Sequence, residues 1–172
     1  MVVAAPVSSR AVSPAVPLEV LTASVLSADS PRVKVMACLA RGDIAGAIAM
    51  YEVSTGRSAP AWLMDLQAAY GVASQTVGRC QEVARVIHTA FLKLDQSPQF
   101  IAFRANKAPA YMVFDLASGR NVPVAHSGYH VAVRMGDMVF DAYTGPMGMQ
   151  LADYLSRLHV QQGFTWERVL TP

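Results

Sequence analysis

The sequence predicts an α+β domain, in which a central helix starting at Cys80 packs on a small antiparallel sheet built from the C-terminal half. Two observations carry this. Val83, Val86, Ile87, Ala90, Phe91 and Leu94 recur at the 3.6-residue helical period, so residues 80–94 form a helix with one buried face. Beyond Pro98 the pattern changes to short apolar segments divided by Gly, Pro and Asn, the mark of strands and turns. Strands gathered after a helix, rather than alternating with helices, favour an antiparallel sheet. A chain of 172 residues that is 53% hydrophobic and 15% charged supplies a core for one domain.

The first 18 residues hold no acidic group and one basic one, Arg10, with Pro6, Pro14 and Pro17 between Ala, Val and Ser. Residues 1–29 therefore read as a flexible or extended segment without the charged leader and unbroken apolar core of a secretory signal. Ser30 and Pro31 suit an N-cap and first helical position, and Gly42 a stop. A second helix is expected from Asp43 to about Ser54, ended by Gly56. A third runs from about Pro60 to Ala69, carrying Trp62, Leu63, Leu66 and Tyr70 at helical spacing and ended by Gly71. Leu39, Gly42, Ala47 and Tyr51 resemble half of a tetratricopeptide unit, but no second copy follows. After the central helix, strands are expected at Gln99–Phe103, Ala110–Phe114 and around Val122. A helix is expected at Gln150–Leu158 with Leu151, Tyr154, Leu155 and Leu158 inward, and a closing strand at Phe164–Leu170.

The charge balance excludes some functions. A net charge of +2 is too small to argue for nucleic acid or an anionic membrane. No apolar run approaches the ~18 residues of a membrane span. The two cysteines, Cys38 and Cys80, fall on different helices, with no spacing that suggests a disulfide framework or a metal site. Nothing in the sequence asks for a cofactor.

The chemistry concentrates between Gly128 and Tyr143. Period-2 alternation through His130–Met135 reads as a strand, and Gly136-Asp137 suits a two-residue type II′ turn. In that register Met135 opposes Met138, Arg134 opposes Val139, Ala132 opposes Asp141 and His130 opposes Tyr143. His130 and Asp141 then share a face as diagonal neighbours roughly 7–8 Å apart at the backbone. A one-residue change of turn length would put them on opposite faces. A carboxylate holding an imidazole lacks only a nucleophile, and Cys80 at a helix start supplies one. Unpaired N–H groups and the helix dipole stabilise a thiolate there, while Gly78 permits close approach. Most free cysteines are inert core residues, so the His–Asp pair is what gives Cys80 its meaning. His88 lies two turns along the helix, out of reach. His126 falls outside the hairpin, and His159 reads as a surface residue.

A cysteine at the start of a central helix, a histidine on a later strand and an aspartate on the next resembles the papain-like cysteine hydrolases. The closest likeness is to compact papain-fold toxins and effectors of bacteria, several of which are glutamine deamidases. It covers about residues 75–160, and its motif is the Tyr129–Asp141 strand, turn and strand. The resemblance implies Cys80 as nucleophile, His130 as general base and acid, and Asp141 as the group orienting the imidazole. Papain-like proteases keep an oxyanion-hole glutamine six residues before the nucleophile. Here Gln75 stands five before Cys80 as candidate donor, with backbone amides the alternative. Arg134 and Tyr143 share the His130 face and are candidate substrate contacts.

The organisation expected is therefore a flexible segment over 1–29, a helical layer over 30–71 and a papain-like catalytic core over 72–172. The resemblance implies a thiol-dependent hydrolase that deamidates a glutamine of a protein substrate. The same residues would serve a cysteine protease, including a self-cleaving leader protease, or a transglutaminase. The competing class is a protein-binding module with a papain-like shell. The likeness further implies a soluble effector delivered by a specialised secretion system into a target-cell cytoplasm, and a dedicated chaperone or immunity protein as partner.

Overall fold

The computed structural model describes residues 30–172. The flexible segment expected over 1–29 lies outside the described residues. Those described form five α-helices and two antiparallel sheets, an α+β arrangement.

Three helices come first. Helix α1 (Pro31–Leu39) starts where the Ser30 hydroxyl accepts a hydrogen bond from the Val33 N–H, with Pro31 at the first position. Helix α2 (Ile44–Thr55) is capped by Asp43, whose carboxylate accepts from the Gly46 N–H at 2.8 Å. It ends on Gly56 in the left-handed conformation, where glycine carries no Cβ penalty. Helix α3 (Ala61–Ala69) leads through a 3-10 turn at Val72–Ser74 into helix α4 (Cys80–Lys93). Gly78, at φ +88°, makes the turn into α4.

The strands are β1 (Gln99–Ala105), β2 (Met112–Asp115), β3 (Asn121–Ala125), β4 (Tyr129–Met135), β5 (Met138–Phe140) and β6 (Met149–Gln150). Helix α5 (Leu151–Arg157), β7 (Leu158–Val160) and β8 (Phe164–Val169) follow. They form a five-stranded sheet, β6-β5-β4-β1-β8, and a three-stranded sheet, β3-β2-β7. The single small sheet expected from the sequence is thus two. Strand β7 was not anticipated. The chain passes straight from α5 into it, and Leu158 and Val160 pair with Phe114 and Met112 of β2.

Alternation along β1 and β4 explains the layering. Phe100, Ala102, Val131 and Val133 face Leu63, Leu66, Ala84, Ile87 and Ala90 of the helices. Ile101, Phe103 and Ala132 face the opposite way, onto Met112, Phe114, Val124, Tyr154 and Leu158. The five-stranded sheet is therefore covered on both sides. That is why its central strands read as nearly continuous apolar runs.

The β4–β5 hairpin has the expected register, with Met135 opposite Met138 and Arg134 opposite Val139. Gly136 has φ +56°, while Asp137 is not among the residues with positive φ, as a type II′ turn requires. The pairing stops at Val133 and Phe140, however. Asp141 does not pair with Ala132, nor Tyr143 with His130. The chain curls away because the Asp141 Oδ1 accepts from the N–H groups of Tyr143 (2.8 Å) and Thr144 (3.0 Å). The Thr144 hydroxyl in turn accepts from the Asp141 N–H at 3.0 Å. This local turn outcompetes further ladder bonds.

Candidate active site

The early end of β5 opens a gap beside His130 and Val131, and the start of α4 occupies it. The Val131 backbone N–H is directed at the Cys80 sulfur, as is that of Gln81. Among the described residues no side chain caps α4. Arg79, at the cap position, is instead turned onto Glu82, with contacts of 2.6 and 3.0 Å, and onto the Ala73 carbonyl at 3.1 Å. The first N–H groups of a 14-residue helix thus remain open to an anion at Cys80. Cys80 is half-buried, whereas Cys38 is buried in the helical core.

His130 is fully buried and Asp141 nearly so. The His130 Nε2 lies 3.1 Å from the Asp141 Oδ2 and 3.0 Å from the Tyr154 hydroxyl. Tyr154 donates to the same Oδ2 at 2.6 Å. Because Tyr154 spends its proton on Asp141, its oxygen is left to accept. Nε2 must then carry the proton that it shares between the two oxygens. All four donors to the carboxylate come from different groups: Tyr143 and Thr144 backbone on Oδ1, Tyr154 and His130 on Oδ2. A carboxylate held by four donors cannot rotate, and it sets the plane of the imidazole.

The other ring nitrogen, Nδ1, is buried and forms no hydrogen bond among the described residues. The Cys80 thiol interacts with this ring, yet more loosely than strict hydrogen-bond geometry requires. With Nε2 engaged, Nδ1 is the nitrogen left for the thiol. Phe103, the cross-strand neighbour of His130, lies beside the ring, 6.1 Å between centroids and 25° from parallel, and Tyr143 meets it edge-on at 6.2 Å.

The electrostatics follow from this packing. Burial opposes a charge on His130, but hydrogen bonds to Asp141 and Cys80, with their charges, outweigh it and push its pKa up to about 9. Burial also opposes the Cys80 thiolate. Contact with the His130 ring and its charge, and with the Val131 and Gln81 N–H groups, nonetheless holds the thiol below its ordinary value. Asp141 is likewise pulled below the usual carboxylate range: burial works against ionisation, but the His130 and Tyr154 bonds and the Tyr143 N–H win. Burial and then the Asp141 charge push Tyr154 well above its ordinary value, so it remains a donor. The combined directions favour a thiolate–imidazolium pair anchored on a carboxylate.

Comparison with known proteins finds no matching family model, no matching curated protein and no matching solved structure.

The structure brings Cys80, His130, Asp141 and Tyr143 together. Gln75 is adjacent, its side-chain N–H donating to the Ala142 carbonyl at 3.0 Å. That leaves its second amide proton uncommitted by this bond. Arg134 is not brought to the site. Its guanidinium folds over the hairpin turn, bonding to the Gly136 carbonyl (2.7 Å) and Asp137 (3.2 Å), with its cation over Trp166. Four residues of extended strand, roughly 13 Å at about 3.3 Å per residue, separate Arg134 from His130 along β4, so a shared face does not mean a shared site. His88 stacks on Phe100, and His159 is exposed and paired with Asp115 at 2.7 Å. Two contributors were missed from sequence. The sequence marks Tyr154 as an inward residue of its helix without a catalytic part, although a buried tyrosine hydroxyl needs a partner, and that is the available signal. Thr144 gave none, since its role depends on the turn.

Proposed function

We propose that the protein is a papain-like, thiol-dependent amide hydrolase whose reaction is deamidation of a glutamine in a protein substrate. The observation that supports this is the arrangement of Cys80 at an uncapped helix start beside a His130 ring fixed through Nε2 by Asp141 and Tyr154.

The step follows from the charges. The Cys80 thiolate attacks the amide carbonyl carbon, forming an S–C bond while the carbonyl electrons move onto oxygen. N–H groups at the start of α4 face that oxyanion, with the Gln75 amide as side-chain candidate. The His130 Nδ1–H gives its proton to the leaving nitrogen, the C–N bond breaks and ammonia departs, leaving a thioester. Water then attacks the thioester carbon and Nδ1 takes its proton. The S–C bond breaks and restores the thiolate, leaving glutamate. Asp141 and Tyr154 keep the imidazole in one orientation through both halves of the cycle.

Two measurements test the reading. Iodoacetamide should label Cys80 at pH 6 much faster than a denatured thiol, and Cys80→Ala should abolish the biological effect. Ordinary thiol reactivity together with a fully active Cys80→Ala variant would leave a binding module as the function. Intact mass of a substrate protein gives the reaction type: conversion of amide to acid with ammonia release supports deamidation, whereas fragments mean proteolysis.

A further inference from the structure

A cavity of about 220 Å³ opens beside the Cys80 thiol, and the proposed reaction does not yet use it. One wall is the approach to α4, Val77 and Gly78; the other is the β3–β4 connection, Ala125 to Tyr129. A Cβ built on Gly78 would meet nothing within 4 Å, so the backbone there is bare toward open space. The opposite wall is held in place. Gly128 is at φ +76°, a Cβ on it would come within 3.0 Å of the Ala105 methyl, and its carbonyl accepts from the Ala105 N–H at 2.8 Å. The Tyr129 ring lies beneath Arg104 at 4.7 Å, and Arg104 is itself paired with Glu167.

The lining has a consistent chemistry. Val77, Ala125 and Tyr129 offer apolar surface, Gln81 and Ser127 offer neutral polar groups, and among the described residues no aspartate, glutamate, lysine or arginine lines the space. His126 stands exposed at the rim, against the Tyr111 ring at 4.7 Å. A space of this size suits one side chain, whereas an extended main chain must run past the nucleophile on both sides. Because Cys80 is half-buried, a side chain reaching it needs a stem.

We propose that this cavity is the acyl-donor subsite, and that it takes the glutamine side chain. The methylene stem lies between Val77, Ala125 and Tyr129, the carboxamide lies at the Cys80 sulfur, and the substrate backbone remains at the His126–Ser127 rim. The proposal rests on the hydrolase reading and sharpens it, since it excludes charged side chains and main-chain amides as donors.

The test compares three thiol-directed reagents on the full chain by intact mass: iodoacetamide, a blocked peptide whose glutamine carboxamide is replaced by a chloromethyl ketone, and a peptidyl chloromethyl ketone placed at the main-chain carbonyl. Each rate is normalised to that with glutathione. The glutamine-shaped reagent should exceed the main-chain reagent on the order of tenfold or more, the scale on which a pocket discriminates by fit. Ser127→Trp, which fills the rim, should collapse that ratio toward one. A main-chain reagent that is equal or faster on the wild type overturns the subsite, as does a ratio that survives Ser127→Trp. Slow iodoacetamide labelling of Cys80 would instead overturn the hydrolase reading itself, so the two failures are distinguishable.

Discussion

Replacing Tyr154 by Phe removes one oxygen from the centre of the buried network and little else. The ring stays packed against Phe103 and Phe114, 5.1 and 4.9 Å between centroids, so no cavity larger than a hydroxyl forms. What is lost is a 2.6 Å bond to an ionised carboxylate and a 3.0 Å acceptor for the His130 N–H. Hydrogen bonds to charged groups contribute about 1.5–3 kcal/mol, and here water cannot replace the donor because Asp141 is buried. A loss of about 2 kcal/mol should lower the Tm by roughly 4–8 °C in a chain of this size. Tyr154 also helps depress the Asp141 pKa. The stability gained from a depressed carboxylate is present above its unfolded value, 3.8, and fades as pH falls through the lower folded value. The gap between wild type and Tyr154→Phe should therefore be full at pH 7 and narrow in acid. Thermal melts by circular dichroism across pH measure it. A Tm at pH 7 within about 1 °C of wild type would refute the claim that this hydroxyl satisfies a buried charge.

Asp141→Asn should lower the His130 pKa from about 9 toward its ordinary value and so weaken the thiolate. The pH–rate curve for iodoacetamide should move to higher pH, with the rate on its rising limb about tenfold lower for each pH unit it moves, and superimposable curves would contradict this. In the native protein one fast thiol, Cys80, should be labelled, and denaturation should expose Cys38 as a second; fast double labelling of folded protein would show that the helical core is not closed over Cys38. A raised His130 pKa contributes stability that is complete below about 6.5 and is lost as pH rises through about 9. The depressed Cys80 thiol has the opposite slope up to its ordinary 9.0, so the His130 decline should be largely cancelled in wild type and should show in Cys80→Ala, as urea unfolding at pH 6 and pH 9 would report. Thr144→Val, which loses the hydroxyl that accepts from the Asp141 N–H, should cost about 1 kcal/mol and loosen the same carboxylate.

Much of the fold was legible because its signals are local. Ser30, Asp43 and Gly56 mark helix ends through their own side chains or lack of one, and α4 shows its period over 14 residues. The II′ turn at Gly136-Asp137 set the β4–β5 register, since turn chemistry needs only two residues to declare itself. The second sheet was not legible in the same way. Strand β7 is three residues long and begins where α5 ends, too short for alternation to show. Its pairing with β2 joins positions more than forty residues apart in sequence, which no local pattern encodes.

The site illustrates how a right outcome can arise by a different route. His130 and Asp141 meet, but not as diagonal partners on two continuous strands. Had β5 continued, Ala142 would have paired with Val131 in the observed register, and the start of α4 would have had no free edge to occupy. The Asx turn that ends β5 therefore has two effects. It releases the Val131 N–H toward the Cys80 sulfur, and it rolls Asp141 inward until Tyr154 closes over it. Arg134 follows from the same geometry in reverse. It sits where the ladder is intact, and its side chain stays with the turn. Strand parity could place candidates on a face, but only the point at which the strand ends decides which of them reach the thiol.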